Sequence, residues 1–288
     1  MRYECPRSVG EAVQLLKSSN GSDARVLAGG TDLLVQMHLG LRSPSLVVDV
    51  KRIPELLTTT VDGDGAVIGA SVCAAEIVES SDIGKLYPGL REATDLIGST
   101  QIQGRASLGG NVCNASPAAD TVPALIVLRA KCVIAGPGGQ RSVPVESFAT
   151  GPGETVLTSG EFVVELRLPR PAPRSADAYL RFIPRTEMDI AVVGAGVSLT
   201  LDAAGVCTAA RVALGAVAPT AILVPAAAEA LIGTTVDDAS LQRAGEASTA
   251  AANPIDDKRG TIEYRRRLAG VLTRRSAAIA ADRARERS

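Results

Sequence analysis

Two pairs of adjacent glycines limit how this chain can fold. The first lies in Val26-Leu27-Ala28-Gly29-Gly30-Thr31-Asp32-Leu33-Leu34, where a strand-like apolar run ends in Gly-Gly and a helix-like run follows. The second is Ser107-Leu108-Gly109-Gly110-Asn111, inside a longer stretch (residues 97–128) that continues through Ser116-Pro117 and Asp120. Glycine lacks a Cβ and tolerates positive φ, so such turns bring backbone N–H groups close to whatever they face. Strand, tight turn and helix start together form an arrangement that takes up phosphate on N–H donors. Ser107 and Asn111 add a hydroxyl and an amide. Neither stretch is G-x-G-x-x-G or G-x-x-x-x-G-K-[ST], so the Rossmann and Walker phosphate loops are excluded. One such turn is usually an ordinary tight turn. Two of them, each fed by apolar strand-like sequence, suggest the two ends of one long anion such as a pyrophosphate. Asp120 precedes an apolar run opened by Pro123 and also reads as a helix cap.

Taken in order, the chain opens with a βαβ pattern. Ser8 and Glu11 form a capping box before a helix over Val9–Lys17. A strand over Arg25–Ala28, a short helix over Thr31–Gly40 and a strand over Leu46–Val50 complete a parallel unit, with Asp49 as a turn residue. A second lobe starts near Pro54. Asp62-Gly63-Asp64-Gly65 predicts a hairpin between strands 56–60 and 66–68. Helices are predicted over 71–80, 90–97 and 123–129, and strands over 131–135 and 162–168. Gly136–Gly139 reads as a plain loop, and Pro169–Pro173 as a linker. The last segment predicts three strands (179–183, 191–201, 206–217) and three helices (221–232, 238–252 and 261 to the end), an α+β domain.

Composition narrows the chemistry. The formal net charge is −1 and aromatic residues make up 2% of the chain, so no basic stripe interleaved with aromatics points to nucleic acid. The N-terminus MRYECPRSVGEAV has no apolar h-region and no run is long enough to span a bilayer, so a cytoplasmic chain is expected. The five cysteines (Cys5, Cys73, Cys113, Cys132, Cys207) are scattered with no C-x-x-C spacing, which argues against a zinc or cysteine-bound cluster site and for buried thiols. Cys113 lies close to the second glycine pair. His38 is the single histidine and has no evident nucleophile or acid beside it. Arg265–Arg267, Arg274 and Arg275 read as a solvated basic helix face, with partner docking as the other reading. No nucleophile, general base or metal cage emerges, so no catalytic residue and no metal ligand is assigned. Any redox activity must belong to a bound cofactor.

The stretches AGGTDLL (residues 28–34) and ASLGGNVCNASPAADTVPALIVL (residues 106–128) resemble the FAD-binding medium subunit of the molybdenum hydroxylases, the family of carbon monoxide dehydrogenase and xanthine dehydrogenase. The likeness extends to RTEMDIA (185–191) and RGTIEYR (259–265), and so over nearly the whole chain. The resemblance implies a two-lobed FAD-binding domain over residues 1–175, with lobes of about 1–55 and 56–175, as in the vanillyl-alcohol-oxidase-like FAD fold. An α+β domain with a three-stranded antiparallel sheet would follow over 176–288. It further implies that Ala28, Gly29, Gly30, Thr31 and Asp32, with Ser107, Gly109, Gly110 and Asn111, hold the FAD pyrophosphate. Val26, Leu27, Leu33, Ile97, Ile102 and Val163 would contact the cofactor, Asp120 would lie near its adenosine half and Arg181 near its flavin. Where the family commonly has Ile-Arg-Asn, this chain has Ile102-Gln103-Gly104, which removes a charge but no backbone donor.

By the same resemblance, the partners would be a large molybdopterin subunit and a small subunit with two [2Fe–2S] clusters, assembled as a dimer of heterotrimers. Electrons would pass from those clusters to FAD and on to an external acceptor. Two other readings stand beside this one. One is an independent FAD-dependent oxidoreductase with its own small-molecule substrate, and the other is an assembly protein that has lost FAD.

Overall fold

Three short parallel strands, in the order β1-β3-β2, form the N-terminal lobe: β1 (Arg2–Glu4), β2 (Ala24–Leu27) and β3 (Leu46–Asp49). The computed structural model describes residues 1–19 and 24–287. Helix α1 (Val9–Ser18) begins where predicted: the Ser8 hydroxyl accepts from the Glu11 N–H at 3.2 Å. The reciprocal bond falls one residue early, since the Glu11 carboxylate accepts from the Arg7 N–H at 2.7 Å. Helix α2 (Leu33–His38) is shorter than the predicted 31–40, because Gly30 and Gly40 both lie at positive φ (83° and 71°) and bracket it. Strand β1 is not legible in the sequence; three residues are too few to show alternation. Asp49 ends β3 and sits at the turn as expected, its carboxylate accepting from the Lys51 N–H at 3.0 Å; it also accepts from the Tyr3 hydroxyl and from the Lys51 ammonium, the latter at 2.7 Å.

The second lobe is an antiparallel five-stranded sheet. Its members are β4 (Thr59–Val61), β5 (Gly65–Gly69), β6 (Lys131–Gly136), β7 (Gly139–Pro144) and β10 (Phe162–Pro169), in the order β4-β5-β10-β6-β7. A small ribbon, β8 (Ala149–Gly151) and β9 (Glu154–Thr155), lies between β7 and β10 in the chain. The Asp-Gly-Asp-Gly hairpin forms, with the Asp62 carboxylate accepting from the Asp64 N–H at 2.8 Å. Its first strand starts later than predicted because Pro54–Leu57 coil into a 3-10 turn that buries Leu56. Gly136–Gly139, read as a plain loop between strands, is the tip of a β6–β7 hairpin; its second strand is exposed and polar.

Six short helices accompany this sheet: α3 (Ala74–Glu79), α4 (Ser81–Leu86), α5 (Pro88–Asp95), α6 (Thr100–Gln103), α7 (Leu108–Asn114) and α8 (Thr121–Val127). The single helix predicted over 71–80 starts later and is followed at once by another. Ser80 closes α3 and its hydroxyl caps α4, accepting from the Ile83 N–H at 3.3 Å. Ile68, Leu90, Leu108, Leu125, Ile134 and Leu166 form the buried centre of the lobe.

The C-terminal sheet has four antiparallel strands, not the predicted three: β11 (Ser175–Phe182), β12 (Val193–Leu201), β13 (Cys207–Gly215) and β14 (Ile222–Leu223). Ile222 and Leu223, read from sequence as helix, pair with Leu214 and Ala213. The helix α9 (Pro225–Glu229) cannot start before Pro225, which takes its first position. Helices α10 (Asp238–Ala251) and α11 (Ile262–Glu286) complete the domain, and residue 288 of the predicted terminal helix lies outside the described residues. Where α10 and α11 cross, a Cβ on Gly270 would lie 2.7 Å from the Gly245 carbonyl oxygen. The predicted basic face is broken at Arg265. Its guanidinium is buried and donates to the carbonyls of Val192 and Ala216 and to Asp257, joining α11 to the sheet. No described helix is long and apolar enough to cross a membrane.

Candidate functional site

A cleft of about 590 Å³ brings both glycine stretches together, with Val50 beyond β3, Ala70-Ser71, and residues 153, 155 and 157–163. Its volume falls within the roughly 300–1,000 Å³ of small-molecule and cofactor sites. The first stretch meets the second backbone to backbone at Arg105, and the second packs on the backbone of Ala70 beyond β5. A Cβ on Gly29 would lie 1.9 Å from the Arg105 carbonyl oxygen, just ahead of Ser107, and one on Gly109 would lie 2.4 Å from the Ala70 carbonyl oxygen. Only glycine permits either approach. Asn114 ties the stretches again, donating from Nδ2 to the Asp32 carboxylate at 3.1 Å.

The second stretch is not the turn expected from its glycines. Gly109, Gly110 and Asn111 form the first turn of α7, and Ser107 is its cap, the hydroxyl accepting from the Gly110 N–H at 3.1 Å. Asn111 accepts from the Thr121 hydroxyl at 2.6 Å through its amide oxygen, which leaves its NH₂ as the polar group to offer. In the first stretch, Gly30 has φ of 83°. The backbone N–H groups of Gly29, Gly30, Thr31 and Asp32 donate to no acceptor among the described residues. These four residues line the cleft, and backbone donors without a protein acceptor among the described residues suit an anion there.

Charged groups in the lining are few. Burial pushes the Asp32 carboxyl above its ordinary range, and the Asn114 bond opposes this. The Cys113 thiol is pushed up to about 12 by burial, so it faces the cleft as an inert thiol. At the far wall, Arg141 grips Glu161 with two bonds of 2.7 and 2.8 Å, and Glu161 also accepts from the Thr158 N–H. The Arg141 pairing, helped by that N–H, holds Glu161 down to about 2 and fixes residues 158–161 as a wall.

Of the residues singled out from sequence, Val26, Leu27, Ala28, Gly29, Gly30, Thr31, Asp32, Leu33, Ile97, Ser107, Gly109, Gly110, Asn111 and Val163 line the cleft. Ile102, Asp120 and Arg181 do not. Ile102 packs over Gly98, whose Cβ would lie 2.7 Å from it. Asp120 does not cap α8; its backbone is already helical and its side chain makes no cap bond. Instead it accepts from the Tyr179 hydroxyl at 2.9 Å and from Arg181 at 2.7 Å, so the two groups assigned to opposite ends of a cofactor are one buried ion pair. Burial raises the Asp120 carboxyl while Arg181 and Tyr179 pull it down, and the Arg181 Nε is buried without a partner among the described residues. Sequence reasoning missed Asn114, legible as a second amide three residues after Asn111 on the same helix face. It also missed the Gly, Thr and Ser residues of 153–160, which resemble any polar loop. The five cysteines are free, and no three His, Cys, Asp or Glu side chains among the described residues gather to hold a metal.

Residues 1–171 match the FAD binding domain in molybdopterin dehydrogenase, and residues 178–280 match the CO dehydrogenase flavoprotein C-terminal domain. The chain is 35% identical over 274 residues to the carbon monoxide dehydrogenase medium chain of Hydrogenophaga pseudoflava, covering 95% of this chain and 94% of the other. It is 30% identical over 283 residues to the xanthine dehydrogenase FAD-binding subunit of Escherichia coli O157:H7, covering 97% and 96%. In three dimensions it superimposes on a chain of carbon monoxide dehydrogenase from Hydrogenophaga pseudoflava with a TM-score of 0.93 at 36% identity, covering 98% of each chain. A chain of quinoline 2-oxidoreductase from Pseudomonas putida 86 gives 0.90 at 30% identity, covering 99% and 98%.

Proposed function

Because the chain belongs to the family of FAD-binding medium subunits of molybdopterin dehydrogenases, we propose that it holds FAD in this cleft and is the electron-transfer subunit of a molybdenum hydroxylase complex. The observation that carries the reading is the pair of glycine stretches packed backbone to backbone, with four N–H donors at the cleft and no protein acceptor for them among the described residues. That cradle fits a pyrophosphate. Residues 28–32 would take one part of it. The Asn111 amide and the first turn of α7 at Ser107, Gly109 and Gly110 would take the other. Val26, Leu27, Leu33, Ile97 and Val163 would supply the apolar walls that exclude water.

Asp120 and Arg181 act in this reading as one buried polar pair held by Tyr179 outside the cleft lining, not as separate contacts at two ends of the cofactor. Ile102 acts through Gly98, not by contact. Bound FAD supplies redox chemistry that no side chain here offers. Residues 1–175 form the cofactor domain and 176–288 the C-terminal domain in this proposal. The partners are a small subunit with two [2Fe–2S] clusters, which delivers electrons, and a large molybdopterin subunit, which oxidises the substrate. Together they would form a dimer of heterotrimers that reduces an external acceptor. Titrating the full-length chain with FAD and following flavin fluorescence tests the cofactor step. One FAD bound per chain is expected; no binding overturns it.

A further inference from the structure

We propose that Lys51 is a positioning residue for the first glycine stretch, pinning the Ala28–Gly29 peptide so that its N–H faces the cleft. This inference rests on the reading of the cleft as a pyrophosphate site. Lys51 does not line the cleft itself. It follows β3, and its ammonium donates to the Ala28 carbonyl oxygen at 3.0 Å and to the Asp49 carboxylate at 2.7 Å. The Lys51 N–H also reaches that carboxylate, at 3.0 Å, and the Tyr3 hydroxyl donates to its other oxygen. A chain of contacts therefore runs from the edge strand β1, through Asp49 and Lys51, to the carbonyl that opens the glycine turn.

The geometry of the peptide unit gives this chain its consequence. In a trans peptide, the C=O of one residue and the N–H of the next point in opposite directions. Holding the Ala28 oxygen toward Lys51 therefore turns the Gly29 N–H away from Lys51. Gly29 lines the cleft, and its N–H has no acceptor among the described residues. A peptide that precedes glycine resists flipping weakly, because no Cβ penalises the alternative φ. The close approach of Gly29 to the Arg105 carbonyl oxygen requires glycine here, and a carbonyl next to glycine needs a partner to stay in one orientation. A charge-assisted bond from a lysine, itself held by Asp49, supplies that partner. Tyr3 and Lys51 both bond to the Asp49 carboxylate, which is held below its ordinary range by bonds to Lys51 and Tyr3 that outweigh its burial.

The test compares the full-length wild-type chain with Lys51→Met, Lys51→Arg and the double variant Asp49→Asn/Lys51→Met, using FAD, ADP and riboflavin as probes. ADP carries the pyrophosphate without the flavin, and riboflavin carries the flavin without the phosphates. Lys51→Met is expected to weaken FAD and ADP by about tenfold, the scale of one charge-assisted hydrogen bond. Riboflavin binding should not change, and Lys51→Arg should recover affinity to within about threefold. The double variant removes the carboxylate that Lys51→Met leaves unpaired, so a loss of FAD and ADP affinity that persists in it supports positioning and not misfolding. Unchanged FAD and ADP affinity in Lys51→Met, or an equal loss for riboflavin, overturns the inference while leaving the cofactor reading intact. Failure of the wild-type chain to bind FAD or ADP overturns the cofactor reading, and the inference with it.

Discussion

Single residues decide whether the cleft exists. A methyl group on Gly29 collides with a backbone oxygen at 1.9 Å, and one on Gly109 does so at 2.4 Å. Neither obstacle is a side chain that can swing aside. Gly29→Ala and Gly109→Ala are each expected to lower stability by about 1–3 kcal/mol, the usual cost of forcing backbone apart, and to weaken FAD at least tenfold. Thermal melts of the apo chain and FAD titration check both effects; variants that melt and bind like wild type would contradict the close approach. These glycines were legible because their role follows from the missing Cβ. The Asp120–Arg181 pair was not. Its members lie far apart in the chain, and only the packing of β11 beside α8 brings them together. A carboxylate before an apolar run reads as a cap by local rules, and here a tertiary bond overrides the local one.

At the scale of elements, the contact between α5 and β11 carries a pH dependence. Asp177 on β11 is buried against Gly89 and accepts from the Leu90 N–H through one oxygen, while the other has no partner among the described residues. Burial pushes its carboxyl up to about 7, with Glu92 adding to the rise and Arg287, the Leu90 N–H and Arg283 opposing it. Between the unfolded value near 4 and about 7 the folded state holds one more proton than the unfolded state, so stability falls as pH rises through that window. Asp177→Asn should remove this slope. It should raise stability at pH 8 by up to about 4 kcal/mol and change it much less at pH 4. Denaturant midpoints at the two pH values decide, and equal shifts at both would contradict the assignment.

A second element-level contact is the crossing of α10 and α11 at Gly245 and Gly270. Gly270→Ala would place a methyl group 2.4 Å from the Thr249 hydroxyl, and it is expected to cost about 1–3 kcal/mol by melting. Elements with a local signal were legible: the Ser8 cap of α1, the Asp-Gly hairpin and the long strands of the last domain. β1, β7 and β14 were not, because each is short or polar and owes its strand form to a partner elsewhere in the chain.

Across the whole molecule, the C-terminal domain is bolted to the cofactor lobe by several bonds. Arg283 reaches Glu92, Arg211 reaches the Ile126 carbonyl and Glu146, and Ser198 reaches the Val127 carbonyl. The cleft draws on both lobes of the first domain, so a ligand there stabilises their shared arrangement. FAD at about 100 times its dissociation constant is expected to add about 2.7 kcal/mol to unfolding, visible as an upward shift of the melt. The order of lobes and the α+β character were legible from alternating strand and helix patterns. The fourth C-terminal strand and the contribution of residues 153, 155 and 157–163 to the cleft required the assembled fold.

The proposed place of this chain as the FAD-bearing electron-transfer subunit of a three-part hydroxylase is tested by purifying it untagged from its native host and recording the visible spectrum. Flavin and iron–sulfur absorbance together, with one large and one small chain co-purifying, is the expected result. A lone colourless chain that takes up no added FAD, or a lone flavoprotein whose colour bleaches with a small organic substrate, would contradict it.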